Sequence, residues 1–173
     1  MSLNELKLRP ATPADVPVLF ELIKALAEYE KLSDAVTGNL ASLETHLFGE
    51  SGSDRSNFRP IAEVIIAEFA DKPVGFSLFF HNFSTFLTQP GIYIEDLFVL
   101  PEYRGQGIGK QLISYVAQLA VSRNCGRLEW SVLDWNEPAI GFYQHIGASV
   151  LDEWRICRVT GDSLSNLASG QKL

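Results

Sequence analysis

The sequence predicts an α+β / α/β fold: a mixed central β-sheet of about six to seven strands flanked by about four helices. Two observations predict it. Antiparallel-type apolar runs with a hairpin signal fill the first half, and a β-α-β-α-β order follows in the second. In addition, 173 residues with 46% hydrophobic and 20% charged side chains fit one globular domain that buries a core without disulfides.

Leu6-Lys7-Leu8-Arg9 alternates as a short strand does, and Pro10 ends it. Thr12-Pro13-Ala14-Asp15 reads as an N-cap with proline at the first helical position and an acid at N3. Val16, Leu19, Phe20, Ile23, Leu26 and Ala27 then share one helical face, with Glu21, Lys24 and Glu28 opposite. A shorter helix over 37–48 is carried by Leu40, Leu43 and Leu47. Residues 49–59 are rich in Gly, Ser and charge and predict a mobile loop. Strands over 61–69 and 74–81 flank the turn Ala70-Asp71-Lys72-Pro73, and 91–100 forms a third long strand. Between the last two, 82–90 is expected to make an excursion over the active site. A helix follows, with Ile108, Leu112, Tyr115 and Leu119 at its packing spacing and Gly126 marking its end. A strand over 127–133, a helix capped by Asn136 and closed by Gly147, and a last strand over 149–159 complete the domain, 4–160. The tail, 161–173, is expected to fray or dock on a partner.

Composition narrows the function. A net charge of −7 disfavours nucleic acid and permits a cationic substrate. No run of about 18 apolar residues predicts a membrane span, and no signal-like segment appears at the start, so a cytoplasmic location is expected. Cys125 and Cys157 read as buried thiols, and His46, His81 and His145 lack the spacing of a metal site.

The segment from Ile94 to Lys110 joins an apolar strand, a glycine-rich turn and an amphipathic helix, which is the layout of a phosphate cradle. Walker spacing fails, because Arg104 stands where the first glycine belongs and Gln111 where a hydroxyl is needed. Dinucleotide spacing fails as well: Gly105, Gly107 and Gly109 alternate strictly, and Lys110 takes the third glycine position. What remains is Arg104-Gly105-Gln106-Gly107-Ile108-Gly109, the pattern R-x-x-G-x-G. It resembles the acyl-coenzyme A pyrophosphate loop of the GNAT acetyltransferases. About 30 residues downstream, Asn136, Ala139, Phe142-Tyr143 and Gly147-Ala148 resemble the second coenzyme A motif of the same enzymes. More narrowly, Ile94-Glu95-Asp96-Leu97-Phe98-Val99, Tyr103-Arg104-Gly105, Trp135-Asn136-Glu137-Pro138 and Leu26-Ala27-Glu28-Tyr29-Glu30 are similar to the diamine branch, which includes spermidine/spermine and thialysine acetyltransferases.

The resemblance implies acetyl-CoA as donor, no metal, a small cationic amine as acceptor and a homodimer joined near Trp154. Leu97, Phe98, Val99, Arg104 to Lys110 (Gly105, Gln106, Gly107, Ile108 and Gly109 between them), Asn136, Ala139 and Tyr143 would bind the donor. Tyr29, Glu30, Glu95 and Trp130 would meet the acceptor. A primary ammonium, with a pKa near 10.4, must lose a proton before it attacks. That role falls to Glu95, through water, and Tyr143 would protonate the departing thiolate. Beyond Gly147-Ala148 the approach to Trp154 is shorter than in the polyamine enzymes, so a substrate carboxylate there would fall on Asp152 or Glu153, or be missing. Other readings are a protein or peptide acetyltransferase and an acyl-CoA sensor without turnover.

Overall fold

The computed structural model describes residues 5–49 and 58–170. It divides into two compact units at Ser131 and Val132. The first unit holds a five-stranded sheet in sequence order, made of β1 (Leu6–Pro10), β2 (Glu63–Phe69), β3 (Lys72–Ser84), β4 (Gln89–Val99) and β5 (Leu128–Trp130). The first four strands are antiparallel; β5 joins β4 in parallel.

Local chemistry sets the early elements. Thr12 donates from its backbone N–H and its hydroxyl to the Asp15 carboxylate, at 2.7 and 2.8 Å, and so fixes the start of α1 (Val16–Tyr29). Arg9 clamps the same carboxylate at 2.8 and 2.7 Å and also reaches Glu68 on β2. Leu22, which the sequence pattern leaves out, is among the buried residues of α1, and Phe20 is only half-buried. Asn39 caps α2 (Leu40–Phe48) by accepting from the Ser42 N–H at 2.9 Å. Most of the loop expected at 49–59 lies outside the described residues.

Leu19 and Leu22 of α1, Leu47 of α2, and Val64, Ile66, Phe76 and Phe98 of the sheet form one core on one sheet face. On the other face, α3 (Ile108–Ser122) packs against β3 and β4. Its buried stripe runs Ile108, Leu112, Val116 and Ala120 with Ile113 beside it. Tyr115 and Leu119, expected in that stripe, flank it and are half-buried. The helix ends at Ser122, before Gly126, because Asn124 takes the left-handed turn with φ 54°.

Three expectations are corrected. No excursion exists at 82–90, since β3 and β4 stay paired out to Ser84 and Gln89 and close through a short turn. Cys157 is exposed rather than buried; Cys125 is intermediate, and both are free thiols. The strand expected at 149–159 does not form, and five strands are seen among the described residues. Strand backbone needs a neighbour to take its N–H groups, and the second unit has no strand among its described residues to supply one.

That second unit carries α4 (Glu137–His145) and α5 (Asp162–Ala168). Asn136 caps α4 by accepting from the Ala139 N–H. The helix closes in a Schellman turn: Gly147, φ 96°, donates to Gln144 O, and Ala148 donates to Tyr143 O. The short helix α5 occupies part of the tail expected to fray or dock on a partner.

Candidate active site

The centre of the first unit is an irregularity in β4. Ile94 lies opposite Phe79 and Asp96 opposite Leu78, although Phe79 and Leu78 are neighbours, so Glu95 is the extra residue of a β-bulge. The bulge switches the facing of the strand. Ile92 and Ile94 point into the core beneath α3, while Asp96 and Phe98 face the α1 and α2 side with Leu78 and Phe76. Strict alternation would put Asp96 on the face of Ile92 and Ile94, and the bulge separates them.

Where the bulge occurs, β4 also loses one neighbour. Its ladder with β5 covers only Ile92 to Ile94, opposite Leu128 to Trp130. From Glu95 to Val99 the strand pairs with β3 alone among the strands of this unit. On the edge turned away from β3, the backbone of this stretch has no strand partner in the unit, although Val99 O accepts from Arg104 Nε.

Three carboxylates meet at this point. Glu95 is exposed on the bulge, Asp96 is half-buried beside it, and Glu30 caps the end of α1. Burial pushes the Asp96 carboxyl up to about 6, and the negative charges of Glu95 and then Glu30 add to the rise. Burial also raises the carboxyl of Glu30. Glu95 and Glu30 are expected from the sequence; Asp96 is not, although two adjacent acids inside an apolar strand are its signal. Trp130, opposite Ile94, lies on the α3 side of the sheet, away from this acidic face. On the acidic face, the Tyr93 hydroxyl bonds Ser131 Oγ at 2.6 Å, and the rings of Tyr93 and Phe80 stack 5.5 Å apart.

After β4, the chain makes a helical turn at Pro101–Tyr103 and enters the glycine loop. Gly105 and Gly107 have φ 74° and 81°, and Gly107 starts α3 without a side-chain cap. A Cβ on Gly105, Gly107 or Gly109 would meet no atom within 4 Å, so the backbone is open to a close-fitting ligand. The first N–H groups of α3 have no partner within the helix, and its dipole is positive there. Both features fit a pyrophosphate. Gln106 is half-buried in the loop, and Lys110 is exposed in the first turn.

Arg104 behaves differently from a loop charge. Its Nε donates to Val99 O at 2.8 Å, and its guanidinium carbon sits 4.1 Å from the centre of the Tyr29 ring and 5.5 Å from that of Phe98. In the second unit, Tyr143 is half-buried on α4, its ring 5.3 Å from that of Phe142. Asp152, Glu153 and Trp154 are exposed.

Comparison with known proteins then identifies the family. Residues 24–148 match the acetyltransferase (GNAT) family. The chain belongs to that family and is an N-acetyltransferase. It is 37% identical to the L-ornithine N5-acetyltransferase NATA1 of Arabidopsis thaliana, over 91% of this chain and 86% of that protein. With the thialysine N-epsilon-acetyltransferase of Bos taurus it shares 37% identity, over 93% and 96% of the two chains. Among solved structures, an integron cassette protein from the mobile metagenome of V. cholerae superposes with a TM-score of 0.74 at 28% identity, covering 95% and 98%. No helix among the described residues is long and apolar enough to cross a membrane.

Proposed function

We propose that the chain moves the acetyl group of acetyl-CoA to a primary amine of a small diamine, polyamine or lysine-like amino acid. The observation that carries the reading is the cluster of Glu30, Glu95 and Asp96 around the bulge, which would hold a cationic head beside the open edge of β4. Relatives named for ornithine and thialysine, both amino acids with a side-chain amine, support the same class.

The donor supplies a thioester; the chain supplies position and proton transfer. Gly105, Gln106, Gly107, Ile108, Gly109 and Lys110 hold the pyrophosphate through backbone N–H groups and the α3 dipole, with Arg104 framing the loop. Leu97, Phe98 and Val99 offer backbone groups to the acyl arm, and Asn136 and Ala139 of the second motif contact it. Glu95 takes the proton of the ammonium through a water. Its exposure on the bulge suits that exchange. Tyr143 protonates the leaving sulfur, a role assigned from its Phe-Tyr motif. Tyr29 and Glu30 orient the amine, while Trp130, on the opposite sheet face, is not given a part in holding it.

We read 4–160 as the catalytic domain of a cytoplasmic protein that works as a homodimer. Exposed Trp154 and Ile156 supply apolar surface for that contact. Light scattering that shows a monomer at assay concentration would remove the dimer.

Thiol release from acetyl-CoA is measured with L-ornithine, thialysine, 1,4-diaminobutane and spermidine. At least one acceptor should turn over, with Glu95→Gln and Tyr143→Phe each lowering kcat about 100-fold or more. Turnover only with peptides would replace the small-amine reading, and full activity in both variants would sink the mechanism.

A further inference from the structure

Arg104 opens the R-x-x-G-x-G pattern, yet its side chain is committed elsewhere. Its Nε is bonded to the last carbonyl of β4, and its guanidinium carbon lies over the ring of Tyr29, the final residue of α1. Phe98, the second ring beneath it, belongs to the core, and Tyr29 packs against that same core. One side chain therefore links three things: the glycine loop that carries it, the end of the bulged strand, and the helix end that bears Glu30.

That helix end needs holding. Lys31, just past the cap, takes the left-handed conformation common at helix ends, φ 61°, but as a residue with a Cβ it does so less readily than glycine. The terminal turn is closed by three backbone bonds, Glu30 N–H to Leu26 O at 2.9 Å, Lys31 N–H to Glu28 O at 3.1 Å and Leu32 N–H to Ala27 O at 2.8 Å. Glu30 is also within electrostatic reach of Asp96 across the acidic face, where like charges repel it. The guanidinium of Arg104, over the ring of Tyr29 at the start of that turn, is placed to hold it.

We propose that Arg104 is a positioning residue that couples the donor loop to the acceptor carboxylates. By stacking on Tyr29 it ties the loop to the Glu30 turn, so that ordering of the loop by coenzyme A also orders Glu30. The inference rests on the function proposed above for the coenzyme A loop and the amine site, but its structural half can be read without turnover. By linkage, coenzyme A and the amine must then favour each other's binding by the same factor.

Amide hydrogen exchange at Glu30, Lys31 and Leu32 is the direct measurement. In the unliganded protein, Arg104→Ala should speed exchange at these amides about 10-fold, the loss of one stacked cation and one side-chain hydrogen bond. Tyr29→Ala should do the same, with no further increase in the double variant, whereas Tyr29→Phe keeps the ring and should be close to wild type. Added coenzyme A should slow exchange there in the wild type and not in Arg104→Ala. In calorimetry, wild type should bind L-ornithine about 5-fold or more tightly with coenzyme A present, and Arg104→Ala should lose that gain. Equal exchange in wild type and Arg104→Ala overturns the proposal. So does a variant whose only defect is weak coenzyme A binding, which would make Arg104 a plain phosphate ligand. If the exchange effect appears but no amine is acetylated, the tie stands and the proposed acceptor class falls.

Discussion

Asp96 on the central strand and Glu30 at the end of α1 share one electrostatic environment: burial raises both carboxyls, and the charge of Glu30 adds to the rise at Asp96. Helix α1 and strand β4 come together only in the fold. The pairing converts two ordinary acids into a site that is strained without a cation and relaxed with one.

Asp96 should therefore cost stability at neutral pH. Its carboxyl is raised from 3.8 to about 6, so below pH 3.8 both folded and unfolded chains carry the proton and no penalty exists. As pH rises towards 6 the unfolded chain ionises first, and above 6 the full penalty applies, about 3 kcal/mol at most. Asp96→Asn is expected to raise the unfolding free energy in urea by about 1–3 kcal/mol at pH 7 and by almost nothing at pH 3.5. An equal gain at both pH values would mean that the substitution acts through packing.

Gly109 separates a ligand cradle from a plain turn. It lies in the first turn of α3, its φ is not positive, and a methyl group there meets no protein atom within 4 Å. In the protein alone, Gly109→Ala should be neutral or stabilising by about 0.5–1 kcal/mol, the usual helix gain. If backbone contacts a pyrophosphate there, the same methyl should weaken coenzyme A binding by about 10-fold or more, a loss of about 1.4 kcal/mol. Calorimetry and thermal melting on one sample decide it; unchanged coenzyme A affinity would move the phosphate away from this residue.

The Asp15 anchor predicts acid sensitivity far from the site. Two hydrogen bonds from Arg9 and two from Thr12 hold the Asp15 carboxyl well below the usual carboxylate range, despite its burial. A depressed pKa gives stability that is fully present above about pH 4 and is lost as pH falls through the folded-state value. Asp15→Asn should cost about 3 kcal/mol at pH 7, since it leaves Arg9 partly unpaired and weakens the cap. The difference from wild type should shrink steadily below pH 4 in acid titrations followed by circular dichroism; a constant difference would show that the cap shape, rather than the charge, matters.

Much of this protein is written locally. Thr12 to Asp15, Asn39, Asn136 and Gly147 mark helix ends through bonds to atoms a few residues away, and Gly105 and Gly107 adopt the positive φ that their residue type favours. Such signals are legible because both partners lie within one short stretch of chain. The spacing from Arg104 to Gly109, with the downstream Asn136 to Ala148 motif, likewise pointed to the family that residues 24–148 match.

What the sequence could not settle depends on contacts between distant segments. Alternation along β4 says nothing of the bulge, because the extra residue exists only relative to Phe79 and Leu78 on the partner strand. Asp96 was overlooked for the same reason, since its raised carboxyl needs burial by the fold and the charge of Glu30. The segment 149–159 contains strand formers such as Val150, Trp154, Ile156 and Val159, but composition cannot provide a neighbour to bond with. Arg104 in turn bears the family's loop signature in sequence, and its seat on Tyr29 was fixed only when the end of α1 was packed over Phe98. The sequence by itself determined the helix ends, the glycine loop and the family. Tertiary structure decided which carboxylates meet and what holds them, because charge and packing act through space between residues that the chain keeps far apart.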